Sequence, residues 1–269
     1  MIFYDKFLAM IKLFKGQWLL FFFLFFFSFE IYASFTNGIY LSTMMGCSKS
    51  GTSPLTIQYE DRAHETISAN YKNRCFSDSH WWSFRLENWT DQTGWGLELI
   101  HHKIYLVNTT ENLESFSVSN GYNLLFLNFA KQLGDINLRV GFGGVLAHVD
   151  ATVLGRTRYI RKGFQGHYLT GPAFQINVEK LLWQSTTHFV SFDTKFTAAY
   201  AEVPISANNN NELAIVPDHA IHLSISLGSK PEAYSNKKGL YENLLYFAPL
   251  IYPITTGYIM GTGFLPGGY

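Results

Sequence analysis

The chain has 269 residues, of which only 15% are charged, and 20 basic residues balance 20 acidic ones. That zero balance points away from a nucleic-acid partner and from an acidic binding arm. Aromatic residues make up 17%, with 24 Phe and 16 Tyr, and many lie in short alternating runs, which suits a barrel with lipid-facing aromatics better than a water-soluble enzyme.

In chain order, residues 1–33 read as a secretion signal. Lys6, Lys12 and Lys15 form its positive region, Trp18 to Phe29 its apolar run, and Ile31-Tyr32-Ala33 its cleavage site, with Met10 as an alternative start. The apolar stretch falls short of the ~20 residues a permanent membrane helix needs, and Glu30 interrupts it. Export would carry Cys47 and Cys75, the only two cysteines, into an oxidising compartment where they can pair.

Alternating segments then predict eight strands, at roughly 36–46, 79–89, 95–107, 119–133, 135–153, 165–182, 188–204 and 217–228. Each is long enough to cross a membrane as a tilted strand, which takes about 9–11 residues. In the seventh, Val190, Phe192, Phe196, Ala198 and Tyr200 share one face, and Ser191, Asp193, Lys195 and Thr197 share the other. In the eighth, Ile221, Leu223, Ile225 and Leu227 alternate with His222, Ser224 and Ser226.

The connections alternate strictly between long and short. Cys47–Asp78, Asn108–Val118, Leu154–Phe164 and Ala207–Val216, the last carrying Asn208 to Asn211, are long. Thr90–Gly94, Gly134 and Trp183–Thr187 are short. Bacterial barrels sort their loops this way, with short periplasmic turns and long external loops. Trp89, Trp95 and Trp183 lie beside the short turns, where an interfacial aromatic girdle belongs. The expected fold over 34–228 is therefore an all-β, eight-stranded antiparallel transmembrane β-barrel in the bacterial outer membrane, surrounded by outer-membrane lipid and expected to be a monomer. Residues 229–269 form a C-terminal extension.

Polar groups converge on the outer end of this barrel. On the third predicted strand His101, Lys103 and Tyr105 share a face, and Ile100, Ile104 and Leu106 occupy the other. Reading the apolar face as lipid-facing puts His101, Lys103 and Tyr105 in the lumen and leaves His102 among the lipid-facing residues. His148 and Asp150 share a face of the fifth strand and have the donor types of a divalent-metal site. Strands four and six begin at the same level with Asn120, Asn123, Tyr168 and Thr170, and Asp193 and Lys195 lie somewhat deeper. The expected catalytic set is His101, Lys103, Tyr105, His148 and Asp150; Asn120, Asn123, Tyr168, Thr170, Asp193 and Lys195 are expected to hold substrate. Structural filling of a narrow lumen is the competing explanation.

At these residues the chain resembles the lipid A oxidase family of outer-membrane proteins. The resembling stretches are Leu97 to Tyr105, Asn120 to Asn128, Gly141 to Asp150, Tyr168 to Ala173 and, further on, Phe192 to Lys195. The chain departs from the family pattern at Asn120, where the family carries an acidic residue, and at Asp150 and Asp193, where Glu is usual. The resemblance implies oxidation of the proximal glucosamine of lipid A to 2-aminogluconate by molecular oxygen, with hydrogen peroxide as co-product and a divalent metal ion involved. No glycine fingerprint for a nucleotide cofactor is present, and lipopolysaccharide would be the partner. Two other function classes stay open: a lipid A deacylase or acyltransferase, which would need an activated serine such as Ser119 near His101 or His148, and a non-catalytic surface barrel.

Overall fold

The computed structural model describes residues 34–73, 81–158, 168–205 and 211–230; the expected signal, 1–33, and the expected C-terminal extension beyond Lys230 lie outside them. Among the described residues there are thirteen strands: β1 (Gly38–Ser50), β2 (Ser53–Gln58), β3 (Glu65–Ala69), β4 (Tyr71–Lys72), β5 (Trp81–Thr90), β6 (Thr93–Leu106), β7 (Leu113–Leu133), β8 (Ile136–Ala147), β9 (Asp150–Val153), β10 (Arg156–Arg158), β11 (Tyr168–Gln184), β12 (His188–Pro204) and β13 (Leu213–Ser229).

Eight of them close a ring in the order β1, β5, β6, β7, β8, β11, β12, β13, and β13 pairs back onto β1. Every pairing is antiparallel, and closure leaves no open edge along the ring. The ring matches the eight predicted strands. Two hairpins and a short strand were not expected: β2–β3 lies within the first long connection and pairs with the outer end of β13, β9–β10 pairs with the start of β7, and β4 pairs with β6. Together they raise a collar above the wall.

The β5–β6 turn is tight because Asp91 and Gln92 both take positive φ, 49° and 65°, the backbone of a two-residue type I′ hairpin. Gly134 takes φ 64° in the β7–β8 turn.

Alternation sets the two faces of the wall. Leu97, Leu125, Leu127, Phe129, Val140, Phe142, Ile176, Phe196, Ile221, Leu223, Ile225 and Leu227 are exposed and point outward, forming the apolar belt of a membrane-spanning barrel. From Leu133 to Asn123 on β7 is ten steps, a rise of about 23 Å for a strand tilted ~45°, close to the ~25 Å height of such a belt. Trp95 and Trp183 are 56% and 51% exposed at its periplasmic edge, as a girdle requires. Trp89 is not part of that girdle. It points inward, is 1% exposed, donates to Glu87 Oε2 at 3.1 Å and meets Phe35 edge-on at 5.1 Å. With Tyr40 and Phe189 on the same Phe35 ring, it closes the periplasmic end of the lumen.

Above this plug lies a network of buried charge. Arg85 meets Glu98 at 3.2 Å, Asp193 at 2.8 Å and Glu179 at 3.5 Å. Arg139 meets Glu87 at 2.6 Å and Glu179 at 2.7 Å, and Lys195 meets Glu98 at 3.1 Å. Asn128, Gln175, Asn177 and Ser191 fill the remaining hydrogen-bonding positions, which keeps these charges tolerable away from water. The outer third of the interior is apolar instead: Leu55, Ile57, Ile100, Ile104, Leu113, Phe116, Val118, Val149, Val153, Val203 and Val216 form one core cluster under the collar.

Candidate functional site

The outer end of β6 decides where the site lies. Direct cross-strand neighbours share a face, and His101 stands between Trp82 on β5 and Asn123 on β7. Both continue the outward rows that carry Leu86, Leu125 and Leu127, so His101 faces out of the barrel. Ile100 and Ile104 are fully buried in the apolar cluster, and His102 points inward with them. This reverses the expected faces. Apolar residues mark the lipid side along the belt, but under the collar the interior is apolar too, and polarity no longer distinguishes the two faces.

The outward group is organised around His101. Its ring stacks on Trp82 at 5.1 Å and 12° between planes. Nδ1 lies 2.6 Å from Asn123 Oδ1, an oxygen that only accepts, so Nδ1 carries the proton and Nε2 becomes the accepting nitrogen. The ring is 2% exposed despite its outward direction. Lys103 sits where the β6–β7 register shifts between His102 and Ile104, and its carbonyl accepts from Asn73 Nδ2 at 3.0 Å. Tyr105 stands opposite Ser117, and Ser117 stands opposite Asp150, so Tyr105 and Asp150 flank it on the outer face. His148 lies between the inward Ala147 and Val149 and faces out as well, with Nε2 3.9 Å from Asp150 Oδ1.

His101, Tyr105, His148, Asp150 and Asn123 thus share the outer face of β6, β7 and the β8–β9 junction, with Lys103 at the register shift between them; the group spreads over about 10 Å across the strands and about 13 Å along β6 from His101 to Tyr105. Thr170 adjoins them at the bulge between Leu169 and Gly171, and its buried hydroxyl has no hydrogen-bond partner among the described residues. Asn120 and Tyr168 lie on β7 and β11, but their side chains lie outside the described ones. Asp193 and Lys195 are on the other side of the wall, fully buried in the charge network, and the two halves of the expected site do not meet.

His148 and Asp150 have the right donor chemistry for a divalent ion. Among the described residues, however, no third His, Cys, Asp or Glu joins them, one short of the three protein ligands usual for a catalytic metal. The residues present do not by themselves fit a resident metal, and nothing below is routed through one.

The inward side holds a constellation that the sequence did not disclose. Ser48 Oγ is 3.0 Å from His102 Nδ1, and His102 Nε2 is 3.0 Å from Asp218 Oδ2 and 3.3 Å from Ser50 Oγ. With Nε2–H directed at the carboxylate, Nδ1 accepts from Ser48, the hydrogen-bond order of a serine–histidine–aspartate relay. His222 adjoins it at 5.2 Å, taking a bond from Trp81 Nε1 at 2.9 Å and placing Nε2 2.8 Å from Thr197 Oγ1. Burial, and then the charge of Asp218, holds the Tyr71 phenol on β4 above its ordinary range. Ser48, His102 and Asp218 are all buried between the charge network and the apolar cap, shut off from the leaflet by the wall.

No family model matches the sequence, and no curated protein matches it. Solved structures do. The chain is similar to neisserial surface protein A (6% identity, 72% of this chain and 97% of that one, TM-score 0.37). It is also similar to OprG of Pseudomonas aeruginosa (9%, 71% and 96%, TM-score 0.40) and to AlkL in lipid bilayers (12%, 73% and 92%, TM-score 0.45). The first two bear the names of a surface protein and an outer-membrane protein, and AlkL is also named as an outer-membrane protein. The ring closure, apolar belt and sorted connections of this chain define an eight-stranded outer-membrane barrel in their own right.

Cys47 is disulfide-bonded; Cys75, the chain's other cysteine, lies outside the described residues, as do Asn208 to Asn210 of the last long connection.

Proposed function

We propose that this barrel, exported by residues 1–33, modifies lipid A from its outer wall, oxidising the proximal glucosamine to 2-aminogluconate. One observation carries the reading: the polar group around His101 lies on the outer side of the wall at the top of the apolar belt, at the level of the sugars of an outer-leaflet glycolipid, beneath a covering that leaves His101 2% exposed. Four of the five stretches that resemble the lipid A oxidases carry residues of this group; Phe192 to Lys195 lies in the inward charge network instead.

The chemistry is a two-electron oxidation of the reducing-end hemiacetal. C1 gives up its hydrogen and its hydroxyl proton, molecular oxygen takes both electrons and both protons to become hydrogen peroxide, and water opens the resulting lactone to the acid. His101 Nε2 receives the hydroxyl proton, with Asn123 fixing the tautomer and Trp82 the ring plane. Lys103, two residues along β6 from His101, supplies the positive charge for the anionic groups of the headgroup. Tyr105, His148 and Asp150 border the same patch and orient the sugar.

The test is mass spectrometry of lipid A from cells making wild type, His101→Ala, His148→Ala or Ser48→Ala, each checked for insertion by heat-modifiable mobility. Wild type and Ser48→Ala are expected to add one oxygen, and His101→Ala to lose about 100-fold or more of that rate, the lower end of what a general base contributes. If both histidine variants fold and still modify lipid A at the wild-type level, the site lies elsewhere. Loss of an acyl chain that Ser48→Ala abolishes would move the chemistry to the inward relay, and unchanged lipid A would make the barrel non-catalytic.

A further inference from the structure

The membrane-facing wall carries a shallow apolar groove of about 570 Å3 directly below the His101 patch. Its floor is backbone. Gly143 and Gly144 on β8 lie beside Pro172 and Gly171 on β11, where the bulge at Thr170 carries the strand past the register. Leu125 on β7 and Leu169 on β11 rise on either side, and Phe142 bounds it lower down. Leu169 is 77% exposed, a ridge standing in hydrocarbon.

The two floor glycines exist for different reasons. A Cβ on Gly143 would meet the Leu125 carbonyl oxygen at 1.7 Å, so the neighbouring strand forces a glycine there. A Cβ on Gly144 would meet only the tip of the Leu169 side chain at 3.0 Å and the Gly171 oxygen at 3.3 Å. Sheet packing is less strict at Gly144, where Leu169 and the Gly171 carbonyl would have to give by a few tenths of an ångström, and its bare backbone keeps the groove open.

Resting on the lipid A reading above, we propose that this groove seats one acyl chain of the lipid A molecule whose sugar meets His101. Its opening on the apolar belt selects hydrocarbon. Its position selects that particular lipid: Leu125 lies two residues below Asn123 on the same face, and Gly144 four residues below His148, so the chain beneath a headgroup held at the patch falls into the groove. Its volume lies within the 300–1,000 Å3 typical of small-ligand sites. A seated chain fixes the sugar against His101 in register and depth, which lateral diffusion in the leaflet would otherwise leave open.

The deciding experiment is native mass spectrometry of the purified full barrel released from mixed micelles containing hexa-acylated lipid A. Wild type is expected to retain one lipid A. Gly144→Phe, which lays a ring in the groove, should lower retention about tenfold, as when two methylene groups lose their apolar contact. Val140→Phe, on the same belt outside the groove, should retain it like wild type. If Gly144→Phe does not insert, Leu125→Ala with Leu169→Ala removes the ridges without touching the floor and should give the same loss. Equal retention by groove and belt variants, no retention by wild type, or equal displacement by a diacyl phospholipid would each overturn the assignment. Lipid A that is retained through the groove but never gains oxygen would leave the groove standing and remove the oxidation.

Discussion

Replacing Arg85 with Met tests whether the buried charge network holds the barrel together. Arg85 is 2% exposed and meets three carboxylates, those of Glu98, Asp193 and Glu179. Each keeps another cation after its loss: Glu98 has Lys195 at 3.1 Å, Asp193 has Lys195 at 3.5 Å, and Glu179 has Arg139 at 2.7 Å. The cost therefore falls at the lower end of the range for breaking a buried ion pair, about 3 kcal/mol. The wild-type network sets Arg85, Arg139 and Lys195 against Glu87, Glu98, Glu179 and Asp193, an excess of one carboxylate that Arg85→Met raises to two. Adding Glu98→Gln restores the original excess and keeps one of the two accepting oxygens, the one that takes the Asn128 amide, while the Ser83 hydroxyl turns to accept from the new NH2, so the double variant should regain roughly 1–2 kcal/mol over the single one. Urea unfolding in lipid vesicles, followed by tryptophan fluorescence and by unheated gel mobility, measures both. A single variant within about 1 kcal/mol of wild type, or a double variant as unstable as the two losses added, would refute the reasoning.

Trp95 and Trp183 should be quenched by lipids brominated near the headgroup and Trp89 should not, read on variants that keep one of the three at a time; equal quenching would put Trp89 back in the girdle. The Tyr59 phenol, pushed up to about 12 by burial and by the charge and hydrogen bond of Glu65, should ionise well above its ordinary 10. Because the raised value belongs to the folded state, its stabilising share is complete below pH 10 and is lost as pH rises towards 12. The absorbance difference between wild type and Tyr59→Phe reads the midpoint, and a value near 10 would remove the Glu65 contact. Unreduced, denatured protein should give no reaction with a thiol reagent at Cys47, and a reactive thiol there would exclude the bridge. An epitope inserted beside Asn211 should be labelled on intact cells; labelling only after the outer membrane is broken would invert the barrel.

The sequence by itself determined the barrel. Period-two alternation along Val190 to Tyr200 and Ile221 to Leu227, together with turns sorted by length, identified the ring strands, because one face must meet hydrocarbon and the other a polar interior wherever the belt runs. That logic lapsed at the outer end, where the collar supplies an apolar interior: Ile100 and Ile104 are there as core, and His101 exchanged faces with His102. Trp89 shows the same limit, since a tryptophan beside a turn fits either a girdle or a plug, and only the neighbouring Phe35 and Glu87 decide. The Ser48–His102–Asp218 relay joins residues 54 and 116 positions apart, a proximity that no local pattern encodes. The groove likewise needs Gly144 and Pro172 to be laid side by side by strand register, which closure of the ring fixes and the linear order of residues does not.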